Sequence, residues 1–338
     1  MSLPNPARVE QLTALMAEHG WDRLLFYGNS WRKDFFRYLL NVNFSEPWAM
    51  ATLTRSGEVH VGQAFLPAAG FQAGLVVAIA GLELMETRFV KSLGITPVSA
   101  TAQIEELRRV KSTEELDSIR RAADLADRGY EYFAQVIEPG MAEYELVAEV
   151  EGFLKSNGAE DNFMLIASGG TEVTGMKPPT ERRFQLGDQV TTELTPAING
   201  YYAQICRTLV VGEPNAEQRR AFDIFFEAQR AAEDLLKPGV DIADVARVQN
   251  DVFRKYGYGE YTGPKYTRVR GHNLGLHPDE NPYVLENVHY AVKEGMVIIA
   301  HPNTYLPLSG YMVFGDTLLV TANGCEPLNK AERKLFQK

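Results

Sequence analysis

Residues 187–214 read GDQVTTELTPAINGYYAQICRTLVVGEP. Gly187-Asp188 reads as a turn, 189–195 as a strand, Asn199-Gly200 as a hairpin loop and 201–211 as the returning strand. A two-residue Asn-Gly loop is favoured there because both residues accept the left-handed conformation that paired, twisted strands require. Side chains alternate along a strand, so Thr191, Glu193 and Thr195 share one face. Tyr202, Gln204, Cys206 and Thr208 share a face of the return strand. Glu193, Gln204 and Cys206 are thereby expected to point into one site, with Tyr202 and Gln204 orienting a ligand.

Working outward, the hairpin lies inside a repeat. Residues 138–158 read EPGMAEYELVAEVEGFLKSNG, and residues 237–257 read KPGVDIADVARVQNDVFRKYG. Each has a Pro-Gly turn, an acidic residue at a helix start, and a helix closed by glycine. A strand-rich segment follows each, at 163–208 and 268–320. A domain built from two such halves places its site at the seam, where strands of both face each other. The second half holds His272, His277, His289 and His301 of the six histidines. His272 sits in GHNLGLHPDENP (271–282), and His301 ends the apolar run 296–300. A strand over 311–320 carries Asp316. Two histidines on neighbouring strands, facing a carboxylate from the other half, make a candidate site.

Ahead of the repeat, Ser112-Thr113-Glu114-Glu115 is a capping box opening a long amphipathic helix. The N-terminal third reads as a small α/β domain. It has a helix over 6–20, strands at 23–27, 48–54, 59–62 and 75–80, and a linker near 93–101. Trp31, Arg32, Asp34, Tyr38 and Asn43 form a polar and aromatic group within it.

The chain has 338 residues, 45% hydrophobic and 23% charged, with net charge −10. That balance, with no basic block, argues against nucleic acid or an anionic membrane surface as partner. No apolar run reaches the ~18 residues that span a bilayer. The first ten residues lack a basic-then-apolar signal, and Cys206 and Cys325 make no disulfide framework. A cytoplasmic protein is expected.

The motifs at 187–214, 271–282, 294–307 (EGMVIIAHPNTYLP) and 315–321 (GDTLLVT) resemble, in order and spacing, those of the pita-bread enzymes. These are the prolidases, aminopeptidase P, methionine aminopeptidase and creatinase. The helix KSTEELDSIRRAADLADRGY (111–130) matches too. The resemblance implies an α+β pita-bread fold with an internal pseudo-two-fold repeat over 104–338. A small α/β creatinase-type N-terminal domain over 1–103 precedes it. It also implies a homodimer in which Trp31 or Arg32 reaches a substrate carboxylate.

The family's metallopeptidases hold two divalent metals with Asp, Asp, His, Glu and Glu. By resemblance these positions fall on Glu193, Gln204, His272, His301 and Gly315, so only the histidine is unchanged. The catalytic histidine position falls on Asp279, with His277 two residues earlier. Two adjacent dications need bridging carboxylates, so a metal pair is not expected. A single metal on Glu193, His272 and His301 is the alternative, since two histidines and a carboxylate form a known ligand type. Creatinase is the family precedent for working without metals, but Met176 falls on its catalytic histidine and Cys206 on its return-strand glutamate. The ectoine hydrolases share glutamate at the position of Glu193.

Three functions follow as expectations. The first is a metal-free hydrolase of a C–N bond in a small amidine, guanidino compound or amide. There Glu193 binds or protonates nitrogen, His272 or His301 is general base, and Cys206 is a secondary candidate nucleophile. The second is an Xaa-Pro-type peptidase with a single metal. The third is a ligand-binding protein without turnover.

Overall fold

The computed structural model describes residues 4–61, 71 and 74–338. The chain forms two compact units, one ending at Arg108 and one running from Arg109 to Lys338. The expected strand end at Gly62 lies outside the described residues.

In the first unit, α1 (Pro6–His19) is capped by the Asn5 side chain and closed by left-handed Gly20. It is followed by β1 (Arg23–Asn29), α2 (Asp34–Leu40), β2 (Trp48–Thr54), β3 (Val59–Val61), β4 (Val77–Ala80), α3 (Thr87–Ser92), β5 (Val98–Ser99) and α4 (Thr101–Arg109). The strands form a mixed sheet in the order β3-β2-β1-β4-β5. β1 pairs antiparallel with β2 and parallel with β4. The sequence reading missed α2. Its Asp34 is buried and takes Arg32 at 2.9 Å and Arg108 at 2.6 Å. The expected polar group is therefore divided: Asp34 and Tyr38 are buried and Arg32 already holds a carboxylate, while Trp31 stands 92% exposed.

The second unit opens with α5 (Thr113–Val136), whose capping box joins Ser112 and Glu115 as expected. Then come α6 (Glu143–Ser156), β6 (Asp161–Gly169), β7 (Gln189–Ile198), β8 (Tyr201–Tyr202), β9 (Ile205–Val210), α7 (Ala216–Leu235) and α8 (Ile242–Lys255). The chain continues with β10 (Gly271–Asn273), β11 (Glu280–Tyr283), β12 (Val297–Ala300), β13 (Asn303–Leu306), β14 (Gly310–Val313), β15 (Gly315–Thr321), β16 (Gly324–Pro327) and β17 (Phe336–Gln337). The large sheet runs β11-β10-β12-β15-β9-β7-β6, with β16, β17 and β8 attached to its side. α6 and α8 are the two repeat helices. The halves of the sheet meet where β9 pairs with β15, so the seam is a real strand junction.

Two strands expected to be continuous are broken. The return strand is interrupted at Ala203-Gln204, where the Gln204 N–H donates to the Thr317 side-chain hydroxyl at 2.8 Å instead of to a backbone carbonyl. The strand expected at 311–320 is split at Phe314, whose ring is drawn into an aromatic cluster with Phe222 and Phe226. β14 pairs with β13 in a two-stranded sheet of its own. Among the described residues no helix is long and apolar enough to cross a membrane.

Candidate active site at the sheet seam

β7 is buried along its whole length, and Glu193 points from it into the seam. The Asn199-Gly200 turn adopts φ of 50° and 78°, the geometry expected of a tight hairpin. It brings Gln204 back so that its Nε2 donates to Glu193 Oε2 at 3.0 Å. The same nitrogen lies 3.4 Å from Cys206 Sγ. The predicted convergence of Glu193, Gln204 and Cys206 is therefore present. Burial, with the charge of Asp279 second, raises the Glu193 carboxyl to about 7. A carboxyl in this state exchanges its proton near neutrality.

From the other half, β10 supplies His272 and the end of β12 supplies His301. Gly271 makes their approach feasible: at φ 151°, a Cβ there would lie 2.2 Å from the Ile299 carbonyl oxygen. The two imidazoles are buried edge to face, 5.2 Å between centroids. Burial lowers both pKa values, His301 farther because His272 adds repulsion. Burial thus favours the neutral form of both rings. His272 Nδ1 lies 3.0 Å from the Asn273 carbonyl, which can only accept, so Nδ1 carries the proton and Nε2 the lone pair. Asp279 stands at 3.9 Å from His272 Nδ1 and is held by Arg268 at 2.7 Å.

The remaining expected site residues are placed differently. The Tyr202 hydroxyl donates to Asp161 on β6 at 2.8 Å, because the break at 203–204 ends the alternation that would have aligned it with Gln204. His277 is tied to the turn before β11, its Nδ1 3.1 Å from the Asp279 N–H. Met176 lies half-buried in the loop between β6 and β7, next to the Ile166–Lys177 bridge. Cys206 is fully buried, and desolvation with the nearby Glu193 charge raises its thiol well above the ordinary value. A thiol held protonated in this way disfavours the nucleophile role.

Sequence reasoning missed Asn303, Tyr311 and Arg268. Asn303 contacts His301, the Tyr311 hydroxyl reaches Asn303 Oδ1 at 3.2 Å, and Arg268 braces Asp279. One signal was available for Asn303: it occupies the place where the related motif has glycine after proline.

Two antiparallel half-sheets meeting at a polar seam, with a repeat helix behind each, define a pita-bread protein. Residues 117–322 match the model of metallopeptidase family M24, and the chain belongs to that family. It is 36% identical over 235 residues to the Xaa-Pro dipeptidase of Pyrococcus furiosus, an alignment covering 69% of this chain and 66% of that relative. An uncharacterized peptidase of Bacillus subtilis is 28% identical over 241 residues, covering 71% of this chain and 67% of that one. The crystal structure of the prolidase of Pyrococcus horikoshii superposes with a TM-score of 0.83 at 27% identity, covering 97% of this chain and 99% of that one. The fold is shared also with a Thermococcus sibiricus prolidase, TM-score 0.87 at 24% identity over the full length of both chains.

The residues at the seam do not fit the family's metal pair. The Gln204 amide presents its N–H side to Glu193. Gly315 offers no side chain, and a Cβ there would meet the Ala300 oxygen and His301 Cβ, each at 2.6 Å. His301 fills the space beside it. Among the described residues no group of three or more His, Cys, Asp or Glu is arranged to hold a metal ion.

Proposed function

We propose that this protein hydrolyses an amide-type C–N bond in a small molecule, by proton transfer among side chains rather than through a metal pair. The observation that carries this reading is Glu193. Its carboxyl is raised to about 7, and the neutral Gln204 amide is its hydrogen-bond partner at the seam it shares with two neutral imidazoles. His272, with its lone pair on Nε2, takes a proton from water as the water oxygen bonds to the substrate carbon. The C–N bond breaks, and the departing nitrogen takes the Glu193 proton. Transfer of the His272 proton back to Glu193 restores both groups, so the net change is addition of one water across the bond. Met176, Tyr202, Gln204, Cys206, His277 and Asp279 are the proposed surroundings of the substrate.

A second reading is favoured by the relatives. It is cleavage of Xaa-Pro dipeptides at this same seam, with a single metal on Glu193, His272 and His301. One experiment separates the two. Purified protein is analysed for metal, then assayed with Xaa-Pro dipeptides, small amides, amidines and guanidino compounds, with and without chelator. Turnover unaffected by chelator supports the first reading. Stoichiometric metal with chelator-sensitive dipeptide cleavage overturns it in favour of the second. Ligand binding with no product in any assay would leave a binding protein.

We also infer a homodimer, with exposed Trp31 as part of the contact surface. Light scattering of wild type and Trp31→Ala tests this: a monomeric wild type excludes it.

A further inference from the structure

Asn303 stands directly after the His301-Pro302 pair, and its amide is fixed from both ends. Nδ2 lies 2.7 Å from the Val269 carbonyl and 2.8 Å from the His301 carbonyl. Both oxygens can only accept. Oδ1 receives the Thr267 hydroxyl at 2.8 Å and the Tyr311 hydroxyl at 3.2 Å. Turning the amide over would set its oxygen against two carbonyl oxygens, so the orientation is determined by the network itself.

The same Nδ2 lies 2.9 Å from His301 Nδ1. An amide nitrogen has no free lone pair and accepts no hydrogen bond. A proton on Nδ1 would point at a nitrogen that cannot accept it, so this contact favours the lone pair on Nδ1 over the competing hydrogen bond from the ring to the His301 backbone. In a neutral ring the proton then sits on Nε2. That Nε2 is buried and has no hydrogen-bond partner among the described residues. Leaving such a group unpaired is unfavourable, and a bound ligand can supply the acceptor. His272 is arranged the other way, with Nδ1 protonated and Nε2 free to accept.

We propose that Asn303 is a positioning residue that holds His301 as the Nε2–H tautomer, making His301 a hydrogen-bond donor to the substrate oxygen and removing it from service as general base or metal ligand. The catalytic half of this inference rests on the hydrolase reading above. It resolves the choice between His272 and His301: His272 takes the proton from water, while His301 polarises the oxygen on which negative charge develops. It also gives a reason for the missing metal set. A histidine that binds metal through one nitrogen hands the other N–H to an acceptor, and Asn303 supplies a donor at that place.

The test uses the intact ¹⁵N-labelled chain and long-range ¹H–¹⁵N spectra of the imidazoles at pH 7, with the His301 signals assigned by their loss in H301Q. The expected spectrum shows His301 protonated at Nε2 and bare at Nδ1. Asn303→Asp, whose carboxylate accepts from Nδ1, should reverse this. It should also bind zinc roughly 10–100-fold more tightly than wild type, the range associated with gain or loss of such an acceptor. A wild-type His301 protonated at Nδ1 overturns the proposal, and so does equal zinc affinity in the two proteins. The wild-type spectrum decides the tautomer even if Asn303→Asp does not fold, and it does so whether or not a substrate is turned over. Once a substrate is known, Asn303→Asp should depress kcat more than it raises KM. An unchanged kcat would overturn the catalytic half alone.

Discussion

The two faces of β9 and β15 carry opposite kinds of polar group. On one face Arg207 and Asp316, both fully buried, pair at 2.7 Å. Arg333 approaches the other Asp316 oxygen at 2.8 Å, and Arg207 reaches the Gly315 carbonyl at 2.9 Å. One residue along each strand, Cys206 and Gly315 lie opposite each other in register and turn toward the seam. There Glu193 has a neutral amide as its hydrogen-bond partner. Charge buried for architecture is matched by opposite charge. Charge buried at the seam is left under-compensated, which keeps its proton mobile.

Breaking the seam side should give the largest effect. Glu193→Gln is expected to lower turnover by ~10²–10⁴-fold while the protein still folds, the range for loss of a general acid. It should also flatten a pH dependence of stability. Because the carboxyl pKa is raised in the folded state, the folded protein binds the proton more tightly than the unfolded chain. That contribution is present below the ordinary carboxyl value and is lost as pH rises toward about 7. Denaturant midpoints between pH 4 and 8 check it: an equal slope in wild type and variant would remove the raised carboxyl from the account.

The architectural face should respond in stability alone. Asp316→Asn strands Arg207, and a loss of about 3–5 kcal/mol is expected by urea unfolding, typical of a buried pair deprived of one partner. A negligible loss would show that the two faces do not differ as described. Gly315→Ala sits between the faces. Its added Cβ would press on backbone as well as on His301, so about 1–3 kcal/mol of overpacking is expected. The smallest effect belongs to Cys206→Ala, about 1 kcal/mol in stability with turnover retained, since the thiol is buried and protonated. Abolished turnover in a folded Cys206→Ala protein would restore the sulfur to the chemistry.

What the sequence disclosed follows from where each signal originates. The Asn199-Gly200 turn, the Ser112 capping box and the Pro-Gly-started helices are specified by neighbouring residues, and all were legible. Period-two alternation carried Glu193, Gln204 and Cys206 to one place. It failed for Tyr202 because the break after it depends on Thr317, more than a hundred residues away. Phe314 splits its strand for the same kind of reason, through rings on α7. Asn303 was marked only by departing from the related motif: its meaning lies in the carbonyl of Val269 and the hydroxyls of Thr267 and Tyr311. No local pattern announces those.

Gly315 and His301 also bear on how such a chain can change over generations. A glutamate cannot re-enter at 315 while an imidazole and its backbone hold the neighbouring volume. A carboxylate restored at 301 alone would still lack its companion. Neither step by itself supplies two carboxylates at this end of the seam, and the first is opposed by packing. Glutamates at 301 and 315 are therefore coupled: the imidazole must leave before a side chain fits at 315.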